Sequence, residues 1–148
     1  MYPVVYLCGS ITKNPAHISW RKEVEEKLAK NGIAVLSPLR GKDLDKISED
    51  GLGTDDVGER PFSAGGFVAR DLLDIRNSDA LLLFFEDTIS RQSIGTWTEF
   101  GYAVSEQIPI VVCSTLHEVV AHPFIYKLAT RITPTIDIAV EYLTFLLN

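Results

Sequence analysis

Four short apolar runs punctuate the chain: Val4–Leu7, Ile33–Leu36, Ala80–Phe85 and Ile108–Cys113. Each is continuous rather than alternating, which is how a strand buried on both faces of a parallel sheet reads. The segments between them follow a helical period. Trp20, Val24 and Leu28 recur at i, i+4 and i+8, with Arg21, Lys22, Glu25, Glu26 and Lys30 assigned to the opposite, solvated face, and Asn31-Gly32 closing the helix. Val68, Leu72 and Ile75 repeat the spacing up to Asn77-Ser78. A third helix begins near Gly95 and carries Phe100, Ala103 and Val104. The tail from His117 to Asn148 reads as two helical pieces broken around Ile132-Thr133-Pro134, the last being Ile138–Leu147.

Strands alternating with helices imply right-handed crossovers and an α/β fold: one doubly wound, Rossmann- or flavodoxin-like parallel sheet flanked by helices. Neither repeats nor a linker divide residues 1–148, so a single domain is expected, and 148 residues suffice for a core without staples. Residues 39–61 fit no element. They hold Gly41, Gly51, Gly53 and Gly58 among acidic residues, and a loop this long is either a functional lid or disordered.

Composition narrows the partners. A net charge of −6 argues against a nucleic acid polymer, whose phosphates require a basic surface, but leaves a single nucleotide open. No stretch reaches the length of a membrane span, and no basic segment precedes an apolar one at the N-terminus. Cys8 and Cys113, both inside apolar runs, read as buried thiols, so a reducing, cytoplasmic setting is expected.

In open α/β sheets the ligand binds beyond the carboxyl ends of the strands. Here those ends are polar: Cys8-Gly9-Ser10-Ile11, Ser37-Pro38-Leu39-Arg40, and Glu86-Asp87 followed by Ser90–Thr96. The Gly9-Ser10 turn is too short for a dinucleotide fingerprint, and there is no phosphate loop of the GxxxxGK[ST] type. His17, His117 and His122 lack zinc spacing, so neither a metal nor an organic cofactor is expected. Cys8 or Ser10 as nucleophile would need a positioned histidine base, and none can be assigned. Carboxylates remain. Glu99 falls in the first turn or so of the third helix, where the helix dipole favours its ionised form, although on spacing alone a dipole-complementing surface glutamate is the commoner reading. Asp71 lies at the edge of the buried stripe of its helix, while Asp79 suits a turn or cap.

Taken together, Val5-Tyr6-Leu7-Cys8-Gly9-Ser10-Ile11, Arg70–Ala80 and Ser93–Ala103 resemble, in order and spacing, the nucleoside 2-deoxyribosyltransferase family and its nucleotide N-glycosidase relatives. The resemblance implies that Glu99 is the nucleophile attacking C1′ of the sugar. It implies that Asp71 handles the proton on the departing base and that Tyr6 holds the Glu99 carboxylate. Bond cleavage through an oxocarbenium-like state needs this pair of carboxyl groups, much as in retaining glycosidases. The expected partners are a nucleoside or nucleotide and a free nucleobase.

One departure bears on the substrate. Six positions before the nucleophile, where transferases for unphosphorylated nucleosides often carry an acid, this chain has Ser93. That replacement removes repulsion beside a helix N-terminus. A 5′-phosphate could then be cradled by Gly9, Ser10, Ile11, Ser93 and Gly95, with Arg40 or Arg91 as counter-charge. Ser93 as a plain N-cap is the alternative. Trp97, Phe62 or Phe67 are candidates for the base-binding wall. Base exchange is the first expectation and hydrolysis of a nucleoside monophosphate the second, with a non-catalytic nucleotide sensor a distant third. A chain this short has little left to wall the site. The resemblance implies a homo-oligomer with shared sites, and the tail Ile138–Leu147 or its terminus is the candidate to complete them.

Overall fold

The computed structural model describes residues 1–10, 18–40, 64–86 and 93–148. The strands are β1 (Val4–Cys8), β2 (Ala34–Leu36), β3 (Ala80–Phe84), β4 (Ile110–Cys113) and β5 (Arg131–Thr133). The helices are α1 (Ser19–Ala29), α2 (Ala64–Arg76), α3 (Ile94–Ser105), α4 (His117–Val120), α5 (Pro123–Leu128) and α6 (Ile136–Leu147). The strands form one sheet in the order β2-β1-β3-β4-β5, and every pair is parallel. This is the α/β architecture expected.

The continuous apolar runs are explained by burial on two faces. Val5, Leu7, Ala80, Leu82, Val111 and Cys113 point to one side, where α1 and α6 cover them with Trp20, Val24, Leu28, Ala139, Val140 and Leu143. Tyr6, Cys8, Leu81, Leu83, Ile110 and Val112 point to the other, against Ile75, Phe100, Ala103, Val119 and Ile125. Period-two alternation of side chains thus sorts each strand into two cores, each fully buried aliphatic contributing ~1.5–3 kcal/mol. Cys8 and Cys113 are both buried thiols and lie in different cores, with β3 between their strands. Helix α1 ends as its sequence indicates: Gly32 takes φ of 73°, Ile33 N–H donates to Leu28 O, and Gly32 N–H donates to Ala29 O.

Three expectations need correction. The tail contains a strand: Arg131–Thr133 pairs with Val111–Cys113 at the sheet edge. Three residues, one of them an exposed arginine, are too few to show a period. Val68, assigned to the buried stripe of α2, is 60% exposed, and Phe67 takes its place in the interior. Arg21, assigned to the solvated face of α1, is 3% exposed. Asp79 has the structural role expected: its carboxylate accepts from Val4 N–H at 2.8 Å, while its own N–H donates to Val4 O. No helix among the described residues is long and apolar enough to cross a membrane.

Candidate active site

The sheet order places the chain's change of direction between β1 and β3: from β1 it runs to the β2 side, and from β3 to the β4 side. Such a switch point is where open α/β sheets bind ligands. Tyr6 leaves β1 on the face covered by α2 and α3, and it is wholly buried. Helix α3 brings Glu99 to it and helix α2 brings Asp71, whose side chain is 16% exposed and stands 3.8 Å from Arg70 Nη2. Three residues far apart in sequence therefore lie within electrostatic reach of one buried phenol.

Its electrostatics follow from burial. Desolvation first, and then the charges of Glu99, Asp71 and Cys8, push the Tyr6 phenol well above its ordinary value, so it remains a neutral O–H donor. The hydroxyl makes no hydrogen bond of full geometry, yet a looser one to Glu99 adds to the same rise. Cys8 is raised for the same leading reason, with Glu99 adding and Arg21 opposing. A protonated thiol is a poor nucleophile, so Cys8 serves instead as a strut: its Sγ donates to Thr96 O at 3.7 Å, joining β1 to the first turn of α3.

Gly9 follows from close approach. A Cβ there would stand 2.9 Å from Trp20 Cζ2 and 3.2 Å from Phe84 O. Trp20 itself stacks on Phe84 at 4.8 Å, so the turn has nowhere to shift. Ser10, next in the turn, is buried.

Ser93 is the N-cap of α3. Its Oγ accepts from Thr96 N–H at 3.3 Å and lies 2.8 Å from Thr96 Oγ1. If Thr96 donates in that contact, the Ser93 proton is left to donate elsewhere. Gly95 is exposed in the first turn, with open space around it. Ile11, Phe62 and Arg91 lie outside the described residues, as does most of the 39–61 segment.

Arg40 and Trp97 each have partners within the fold. Arg40 is half-exposed: its Nη2 pairs with Asp74 at 2.6 Å, and its carbonyl accepts from Arg70 Nη1 at 2.7 Å. Trp97 sits about 160° around the helix from Glu99. It stacks on Phe85 at 4.8 Å and meets Phe100 edge-on, lining an apolar groove with Phe124, Ile125 and Leu128. The tail helix α6 spends Ala139, Val140 and Leu143 on its own core, so that stripe is not available to a neighbouring subunit.

Arg21 is the polar group that sequence reasoning missed. Its Nη2 donates to Gly9 O at 2.9 Å, and its guanidinium carbon lies 4.4 Å from the Trp20 ring centroid. The signal available was its place directly after a buried tryptophan, but periodicity sends a charged residue outward. Among the described residues no cluster of three or more potential ligands could hold a metal ion.

Comparison with known proteins agrees with the fold. A 2-deoxyribosyltransferase from Bacillus psychrosaccharolyticus superposes with a TM-score of 0.71 at 18% identity, over 94% of this chain and 91% of that one. A conserved protein from Enterococcus faecalis gives 0.72 at 14% identity, over 99% and 100%. A 2-deoxyribosyltransferase from Leishmania mexicana gives 0.66 at 15% identity, over 97% of each. At these identities the likeness establishes the fold. No curated protein matches the sequence. The sequence profile of the nucleoside 2-deoxyribosyltransferase family, however, matches residues 5–142, nearly the whole chain. The chain therefore belongs to the nucleoside 2-deoxyribosyltransferase family.

Proposed function

We propose that the protein breaks the N-glycosidic bond of 2′-deoxyribonucleosides and transfers the sugar to a second nucleobase through a covalent Glu99 ester. A Glu99 oxygen forms a bond to C1′ as the C1′–N bond breaks. Asp71 delivers a proton to the departing base, a step of the kind that contributes ~10²–10⁴ in rate. The incoming base then attacks C1′, releases Glu99 and returns its proton to Asp71. Tyr6, kept neutral by its burial, orients the Glu99 carboxylate without adding charge. The observation that carries this reading is the gathering of Tyr6, Asp71 and Glu99 from three separate elements around one buried phenol.

The test supplies a deoxynucleoside with and without a second free base. Product carrying the new base is expected, together with loss of turnover in Glu99→Ala. Full activity of Glu99→Ala would overturn the covalent step. Free sugar irrespective of acceptor would replace transfer with hydrolysis.

Hydrolysis of a nucleoside 5′-monophosphate is the second reading, favoured by Ser93. A hydroxyl in place of an acid at the start of α3 leaves a donor for an anion, and the helix N-terminus adds its partial positive charge. Ser10 and Gly9 would take part from the β1 turn, and Gly95 from α3. In either reading a second subunit completes the pocket, since 148 residues leave little wall around a sugar and a base. Dilution that dissociates the assembly is expected to remove activity in parallel.

A further inference from the structure

We propose that Thr96 sets the hydrogen-bonding polarity of Ser93: its buried hydroxyl donates to Ser93 Oγ, which leaves Ser93 a donor only toward a ligand. Thr96 acts through Ser93, which makes it a positioning residue. What this means for the substrate rests on the reading in which Ser93 meets a 5′-phosphate. Ser93 caps α3, and Thr96 stands three residues on, where a capping box carries Glu or Gln to accept from the cap residue. Here that position carries a hydroxyl, and the first turn of α3 holds no acid. Two contacts join the pair: Thr96 N–H donates to Ser93 Oγ at 3.3 Å, and Thr96 Oγ1 lies 2.8 Å from the same oxygen. The Cys8 thiol, donating to Thr96 O at 3.7 Å, ties the turn to β1.

Burial decides the direction of the shorter contact. Thr96 is 2% exposed, and among the described residues Ser93 Oγ is the acceptor that its hydroxyl reaches. Were Ser93 the donor, the Thr96 proton would be shut away from water with nothing to receive it, which is costly. Ser93 is half-buried, so its own proton has an outlet. With Thr96 donating, Ser93 Oγ accepts twice, from the N–H and from the hydroxyl, and both of its lone pairs are spent. The Ser93 proton is then directed away from Thr96. Accepting two hydrogen bonds also polarises the Ser93 O–H and strengthens it as a donor. Such a group suits an oxygen that can only accept, as those of a phosphate monoester dianion do. It offers nothing to a group that must donate.

The test locates the protons directly. In a neutron structure of the full chain exchanged into deuterium oxide, the Thr96 deuteron is expected on the line to Ser93 Oγ and the Ser93 deuteron off it. A Ser93 deuteron on that line would overturn the proposal. A double-mutant cycle reads the consequence in solution, with 2-deoxyribose 5-phosphate and 2-deoxyribose as base-free probes and dissociation constants taken from amide NMR shifts. Thr96→Val keeps the shape and removes the donor. It is expected to weaken the phosphate ester about threefold to tenfold relative to the unphosphorylated sugar, whereas Thr96→Ser is expected to bind as the wild type does. Because Thr96 acts through Ser93, Thr96→Val is expected to cost nothing further in a Ser93→Ala background. A loss that persists in that background is a purely structural effect and overturns the proposal. If Ser93→Ala weakens the phosphate ester and Thr96→Val does not, the role of Thr96 alone is lost. If Ser93→Ala leaves both probes unchanged while the deuterons lie as expected, the proposal stands and the phosphate reading alone is lost.

Discussion

Tyr6 occupies a place in the core that a phenylalanine would fill equally well, so the hydroxyl is what distinguishes it. A buried O–H beside a carboxylate gives up solvation, and a hydrogen bond to a charged group returns ~1.5–3 kcal/mol. Tyr6→Phe is therefore expected to fold normally and to lower kcat about tenfold to a hundredfold, measured by steady-state base exchange with a melting curve as control. Asp71→Asn is expected to lose ~10²–10⁴ in kcat with ordinary bases. The loss should shrink for a substrate whose leaving group departs without a proton; an equal loss for both substrates would contradict proton transfer by Asp71. Gly9→Ala meets Trp20 and the Phe84 carbonyl, neither of which has room to retreat. Overpacking of this kind costs ~1–3 kcal/mol, which urea unfolding would read.

At the scale of elements, α3 is the part on which the site depends. Its first turn is fixed by the Ser93 cap and by the Cys8 thiol reaching Thr96 O, and Glu99 follows within the next turn. Ser93→Ala removes the cap and is expected to cost ~1 kcal/mol in urea unfolding. The substrate pair sharpens the meaning: if Ser93 also meets a phosphate, KM for a 5′-monophosphate rises while KM for the nucleoside does not. Equal changes for both would leave Ser93 as a cap alone. Helix α6 is tied down differently, by Thr135 accepting from Ile138 N–H and by Lys27 of α1 pairing with Asp137 at 2.5 Å.

Across the whole molecule, two sealed cores place ionisable groups where their neutral forms are favoured. Cys113 is pushed up to about 11, chiefly by burial. An ordinary thiol releases its proton near 9.0, so between these values the folded chain binds more protons than the unfolded one. Stability from this group is fully present below pH 9 and falls as pH rises, by about 1 kcal/mol between pH 9 and 10. Cys8 and Tyr6 are raised as well and push in the same direction. Urea midpoints at pH 8 and 10 would read the loss, and Cys113→Ala is expected to show a smaller one.

Much of this molecule is local information. A strand buried on both faces must be apolar throughout, so β1, β3 and the core of β4 announced themselves, as did Trp20, Val24 and Leu28 on α1. Glycine at positive φ closed α1 where Asn31-Gly32 indicated, and the motif blocks around Tyr6, Asp71 and Glu99 pointed to the family. Other features depend on partners distant in sequence. The edge strand β5 exists because β4 offers it a ladder, Arg40 pairs with Asp74 because α2 brings that carboxylate beside it, and Trp97 stacks on Phe85 on the other side of α3 from Glu99 because a helix turns 100° per residue. Arg21 turns inward, where the Gly9 carbonyl accepts from it and the Trp20 ring lies beneath it. The sequence by itself determined the strands buried on both faces and the family to which the chain belongs, since periodicity and motif order are properties of neighbours along the chain. Only the tertiary structure decided where the charges meet, because electrostatic compensation is set by distance in space.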